Sequence, residues 1–151
     1  MKVIVSVLIF VLLLTISCKE SVTESNGDNG EETFIKILEL SPDAESILTS
    51  QDTISALLQF SIADEIQSDF GFSLSIKFVS KIEGQTFSTG SNSSITLGPK
   101  TGEVRIEYSL AQIWSHANLK HPVACYFYMH QMTSETASKV LAKTAEIKYT
   151  E

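Results

Sequence analysis

The chain is short of cysteine, proline, tryptophan and positive charge, and each shortage excludes something. Its 151 residues hold two cysteines, three prolines and one tryptophan, and 11 Lys and Arg stand against 18 Asp and Glu. Two cysteines allow at most one disulfide, so the fold is not a disulfide-knit miniature and must rest on packing. A formal net charge of −7 argues against nucleic acid as a partner and against binding an anionic membrane surface by charge. No serine-centred nucleophile elbow, phosphate-cradling loop or dinucleotide glycine pattern occurs, and there is no internal repeat. Long apolar runs are also missing, with one exception at the start of the chain.

That exception is Val3 to Ile16, preceded by the basic Lys2, broken only by Ser6 and Thr15, and ended by Ser17, Cys18 and the charged pair Lys19-Glu20. Its length suits a secretory signal and falls short of the roughly 20 apolar residues that a membrane-spanning helix needs. The run Leu14-Thr15-Ile16-Ser17-Cys18 resembles a bacterial lipobox, with Thr15 where that family usually has leucine and Leu14 one place earlier. The resemblance implies a signal peptide over residues 1–17, cleavage before Cys18, and acylation of the Cys18 sulfur with palmitate-like chains. Each buried methylene contributes about 0.8 kcal/mol to membrane association, and more than one chain makes the attachment stable. In the enteric sorting rule an aspartate after the cysteine retains a lipoprotein at the inner membrane. Lys19 in that place points to the outer membrane, and Glu20 and Glu24 loosely resemble surface-export signals. Acylation of Cys18 would leave Cys125 alone, with no disulfide to make. Removing residues 1–17 takes away one cation, Lys2, and moves the net charge from −7 to −8.

Residues 18–32 follow as an acidic segment with Val22 as its one large apolar side chain. It cannot bury enough apolar surface to offset the entropy of ordering, so it reads as a disordered tether with a reach of roughly 20 Å.

From residue 33 the pattern is that of strands. Ile54, Ala56, Leu58, Phe60 and Ile62 alternate with polar positions, as do Phe72, Leu74, Ile76 and Phe78. Further strands are expected at 34–40, 85–89, 94–97, 103–109 and 122–132, with an interrupted one in the last 18 residues. A helix over 137–144 is the alternative there. Leu110, Ile113, Trp114 and Ala117 fit one helical face and predict one or two helical turns near 110–118. Seven or eight short strands with turn signals every 8 to 12 residues or so make an all-β, antiparallel β-sandwich over 33–151. The order of long and short strands resembles immunoglobulin-like and fibronectin-III-like domains. The Cys-Trp-Cys framework of antibody domains is absent, as is a tyrosine two places before Cys125, where Val123 stands.

Chemistry-bearing residues are sparse. His116, His121 and Cys125 have no recognised metal-ligand spacing, and Cys125 reads as a core residue between Val123 and Phe127. Asp64, Glu65 and Asp69 read as solvated loop acids. No catalytic set, metal or cofactor is expected. One surface is expected to matter. If Val123, Cys125, Phe127 and Met129 face inward, then Tyr126, Tyr128 and His130 face outward. In an immunoglobulin-like sandwich they would lie beside Ser73, Ser75 and Lys77, with Glu146 and Lys148 on the other side. Tyrosine flanked by serine and lysine makes a platform for a sugar ring or a partner protein. The functional expectation is a lipid-anchored, non-enzymatic binding or scaffold module of the cell envelope, with a glycan or an envelope protein as partner. The alternative is an accessory subunit of an outer-membrane assembly, and a small hydrolase ranks below both.

Overall fold

The alternating stretches become the centres of two sheets in the computed structural model, which describes residues 32–90 and 92–150. The signal, Cys18 and nearly all of the tether lie outside the described residues. The strands are β1 (Phe34–Ser41), β2 (Thr53–Ser61), β3 (Phe72–Val79), β4 (Thr86–Phe87), β5 (Ser94–Leu97), β6 (Thr101–Ser109), β7 (Ala124–Met132), β8 (Ser138–Lys143) and β9 (Ile147–Lys148). One sheet is β1-β2-β6; the other is built on β4-β3-β7-β8, with β5 also on β3 and β9 also on β7. All strand pairs are antiparallel. The chain changes sheet between β2 and β3, β5 and β6, and β6 and β7, which is the crossing pattern of an immunoglobulin-like sandwich. Nine strands fill seven positions, because β4 and β5 divide one edge of β3, and β8 and β9 divide one edge of β7.

The core is where period-2 alternation puts it. Ile54, Ala56, Leu58 and Phe60 from β2, with Ile106 and Tyr108 from β6, meet Leu74, Ile76 and Phe78 from β3 and Cys125, Phe127 and Met129 from β7. Phe78 and Tyr108 meet across the two sheets with ring centroids 5.1 Å apart. The Tyr108 hydroxyl donates to the Thr89 carbonyl at 2.8 Å, so its burial leaves no unpaired polar group.

Three departures from simple alternation have local causes. In β1 the register shifts between Ile37 and Glu39, so Ile35, Ile37 and Leu40 turn toward the core while Leu38 is squeezed out to 40% exposure. The helical turns expected near 110–118 contract to a three-residue 3-10 turn, Leu110–Gln112. Backbone bonds from Ile113 and Trp114 to Leu110, from His116 to Ile113 and from Leu119 to His116 then fold the segment as a series of tight turns. Leu110, Ile113 and Leu119 are buried by them, whereas Trp114 is half-buried and Ala117 is exposed. The segment 138–143 is a strand, not the alternative helix: β8 pairs with Tyr128 to Met132, and its register shift between Met129 and His130 lets Leu141 pack on the core.

Cys125 is fully buried, and that burial, with the nearby Glu146 carboxylate, pushes its thiol up to about 12. The thiolate is the reactive form. Native protein is therefore expected to leave Cys125 unmodified by an aromatic disulfide reagent at neutral pH and to titrate one thiol at this position after unfolding; rapid native labelling would contradict the buried placement.

Candidate functional site

Strand β7 settles which side chains face out. Cys125, Phe127 and Met129 are buried in the core, and Tyr126 and Tyr128 alternate with them on the outer face. The register with β3 sets Lys77 opposite Tyr126, Ser75 opposite Tyr128 and Ser73 opposite His130. On the other flank Lys143 lies opposite Tyr128, and Lys148 opposite Ala124. The six residues that the sequence singles out, Tyr126, Tyr128, His130, Ser73, Ser75 and Lys77, thus occupy one continuous patch.

Within the patch they divide into two parts. The first is a ring ladder along β7. Tyr126 and Tyr128 meet edge to face at 5.9 Å, and Tyr128 stacks on His130 at the same spacing. Tyr126 donates its hydroxyl to the Glu146 carboxylate, which also pairs with Lys148 at 3.5 Å, and Lys143 lies 6.0 Å from the Tyr126 ring centre. The bond to Glu146, then burial, raises the Tyr126 phenol to about 12, and the same bond followed by Lys148 holds the Glu146 carboxyl low. Tyr126 is therefore engaged with its own neighbours.

The second part is a groove of about 560 Å³ over β3 and the end of β7. Four of the six residues line it: Ser73, Ser75, Lys77 and His130; the two tyrosines stand just outside. Its remaining lining comes from places without periodic signal. Ser88 and Ser93 belong to the loop between β4 and β5, Ser94 and Thr96 to β5, and Ser134, Glu135 and Ser138 to the β7–β8 hairpin and the start of β8. Phe70, Phe72 and Met132 close one end, with Phe70 52% exposed.

The groove exists because the edge of β3 changes partner half way. β5 pairs with Phe72 to Ser75 and β4 with Phe78 and Val79. Between them the chain leaves the β3 edge, with Thr89 accepting from Tyr108 of β6, and the backbone groups of Ile76 are met from that segment: its N–H donates to the Ser93 carbonyl at 3.0 Å, and its carbonyl accepts from the Ser88 hydroxyl at 2.6 Å. Gly90, at φ +86, makes the bend, and a side chain there would run into Gln112.

On the groove floor His130 is 8% and Ser75 5% exposed. Ser75 Oγ lies 2.9 Å from His130 Nε2, and Ser138 Oγ 3.4 Å from His130 Nδ1. A neutral imidazole serves both contacts, donating through one nitrogen and accepting through the other. Burial, then Lys77, lowers the His130 pKa. A histidine depressed in the folded state contributes stability that is present above its unfolded pKa and lost as pH falls through the folded value. We expect stability to decline as pH falls below the ordinary histidine value of about 6.5, and His130→Asn to flatten that part of the curve in denaturant titrations. An unchanged slope would mean that His130 titrates like a free imidazole.

The other sequence candidates are not drawn together. His116 stacks on Phe87 at 4.6 Å and His121 meets Trp114 edge-on at 4.9 Å, while Cys125 lies in the core. Asp64, Glu65 and Asp69 are exposed. No group of three or more His, Cys, Asp or Glu among the described residues is placed to hold a metal ion, and no helix among them is long and apolar enough to cross a membrane. The chain matches no protein-family model, no curated protein and no solved structure.

Proposed function

We propose that the protein is a lipid-anchored module of the bacterial outer membrane that binds a glycan, without chemically altering it, in the groove over β3 and β7. The observation that carries this reading is the make-up of the groove: serine and threonine supply most of its polar lining, with Lys77, His130 and Glu135 among them, and an exposed phenylalanine ring stands at one end. Hydroxyls that both donate and accept suit a polyhydroxylated ligand, and an aromatic ring offers an apolar face for the carbon side of a sugar. Ser94 and Thr96 on the rim are exposed, so their hydroxyls are open to such a ligand.

The Ser75–His130 contact has the spacing of a nucleophile and its base. Two features favour binding over hydrolysis. The far nitrogen faces a serine hydroxyl where a carboxylate would be needed to stabilise the imidazolium, and Lys77 disfavours that charge further.

The test is a glycan array probed with the mature chain in detergent. Thr96→Trp, which fills the groove from its rim, should weaken any interaction by ~10-fold or more, and Glu107→Trp on the opposite sheet should leave it unchanged. Absence of any glycan binding removes the reading. A second reading, an accessory subunit of an outer-membrane assembly, draws on β6, whose far edge is unpaired along Thr101–Ser109 among the described residues. A stoichiometric envelope partner lost on placing proline in that edge would favour it.

A further inference from the structure

The charge of the groove is uneven in a way that neutral sugar binding does not require. Lys77 lines it five residue steps along β3 from Phe72, about 17 Å at the usual strand rise. It makes no ion pair with a carboxylate among the described residues, whose pairs are Arg105 with Glu39 and Lys148 with Glu146. The one acid in the lining, Glu135, sits in the β7–β8 hairpin near the Phe70 and Met132 end. The same sheet face carries Lys143 and Lys148 against Glu146, in a chain of net charge −7. The opposite sheet exposes Glu39, Glu103 and Glu107 against Lys36 and Arg105. An acidic protein that gathers cations on one face and leaves a groove lysine without a counter-ion is arranged for an anion there.

Resting on the glycan reading above, we propose that the groove selects an acidic glycan, seating a carboxylate or sulfate against Lys77 and His130. The anion would accept from the Lys77 ammonium and from the exposed Ser94 hydroxyl, since Ser88 and Ser93 already donate to backbone carbonyls; these are charge-assisted bonds in a partly enclosed site. The apolar face of the adjoining ring would rest toward Phe70, and Glu135 would accept from sugar hydroxyls at that end. The charged groups near His130 are Lys77 on β3, Lys139 and Lys143 on β8 (opposite Gln131 and Tyr128) and Glu135 in the hairpin, with the Tyr128 phenol stacked beside it. Burial first, and Lys77 after it, disfavour protonation of His130, and an anion offsets the lysine's part. Binding therefore takes up a proton and strengthens as pH falls.

The test uses the full mature chain in detergent. Its probes are hexuronate oligosaccharides beside their methyl esters, and sulfated oligosaccharides beside their desulfated forms, each titrated near pH 7.5 and 5.5 as round values about the histidine range. The expected result is ~10-fold tighter binding of the acid than of its neutral counterpart, a preference that grows at the lower pH and shrinks with added salt. Lys77→Gln should abolish the preference and Lys77→Arg should restore it, while Glu107→Gln on the opposite sheet should leave it unchanged. The uronate and sulfate arms tell which anion is read. Equal binding of acid and ester by the native chain, or a preference that survives Lys77→Gln, overturns the inference and leaves the glycan reading standing. Binding of none of the probes overturns both.

Discussion

Cys18→Ala is expected to move the protein from the membrane fraction to the soluble fraction. A single myristoyl chain already gives a membrane partition coefficient of about 10⁴ M⁻¹, and a lipoprotein anchor holds more than one chain, so loss of the anchor should lower membrane association by at least that order. No helix among the described residues is long and apolar enough to replace it. Without residues 1–17 the chain would carry a net charge near −8, which anionic lipid heads would repel, and the apolar run Val3 to Ile16 is too short to span a bilayer. The measurement is fractionation with metabolic labelling by an alkyne fatty acid. Wild type should incorporate label and sediment with membranes; the variant should do neither. A variant that stays in the membrane would show that Leu14 to Cys18 does not serve as a lipobox.

The second large effect lies in the core. Phe127→Ala should cost about 3–5 kcal/mol, because the side chain is fully buried between the sheets and its removal leaves a cavity that rigid strands cannot close. Against a total stability of about 5–15 kcal/mol for a domain, that approaches the unfolding limit. Tyr126→Ala, one residue away on the same strand, should cost about 1 kcal/mol or less, since it removes a surface ring and an exposed hydrogen bond to Glu146. Urea titrations of the two variants read the parity of β7 directly. Similar losses, or a larger loss for Tyr126, would mean that the strand faces the other way.

Period-2 alternation put Cys125, Phe127 and Met129 on one face and Tyr126 and Tyr128 on the other, but with aromatic rings on both faces it left open which face is buried; β2 and β3, whose second face is largely polar, were less ambiguous. The flanking of β7 by β3 on one side and the last strands on the other follows from the sandwich connectivity. Features set by partners distant in the chain were not legible. The outward turn of Leu38 depends on a register shift against β2. The last strand is split at Thr144, whose hydroxyl and backbone N–H serve Phe127 as acceptor and donor across 17 residues. The turns at 110–119 bury Leu110, Ile113 and Leu119 against the end of the sandwich, and that burial, which helical spacing does not describe, decides their shape.

The groove itself was half visible. Ser73, Ser75, Lys77 and His130 stand on strands and could be placed by counting. Ser88, Ser93 and Glu135 stand in loops, and a run of Gly, Ser and Asn announces only that the chain turns there. What assembles them is the handover of the β3 edge from β5 to β4, a matter of tertiary pairing with no mark in the local sequence. The emphasis also shifts within the patch. Tyr126 and Tyr128 looked like the platform, yet Tyr126 is tied to Glu146 and the space for a ligand opens beside the ladder, over His130 and Ser75.

The most direct measurement of the central proposal is an amide-resolved NMR titration of the mature chain with the oligosaccharide it retains best on the array. The account predicts saturable shifts centred on Ser73, Ser75, Ser94, Thr96 and His130, weaker ones at Tyr128, and none on the outer face of β1-β2-β6. Shifts confined to that opposite sheet or to the turns at 110–119, or no shifts at saturating sugar, would contradict it.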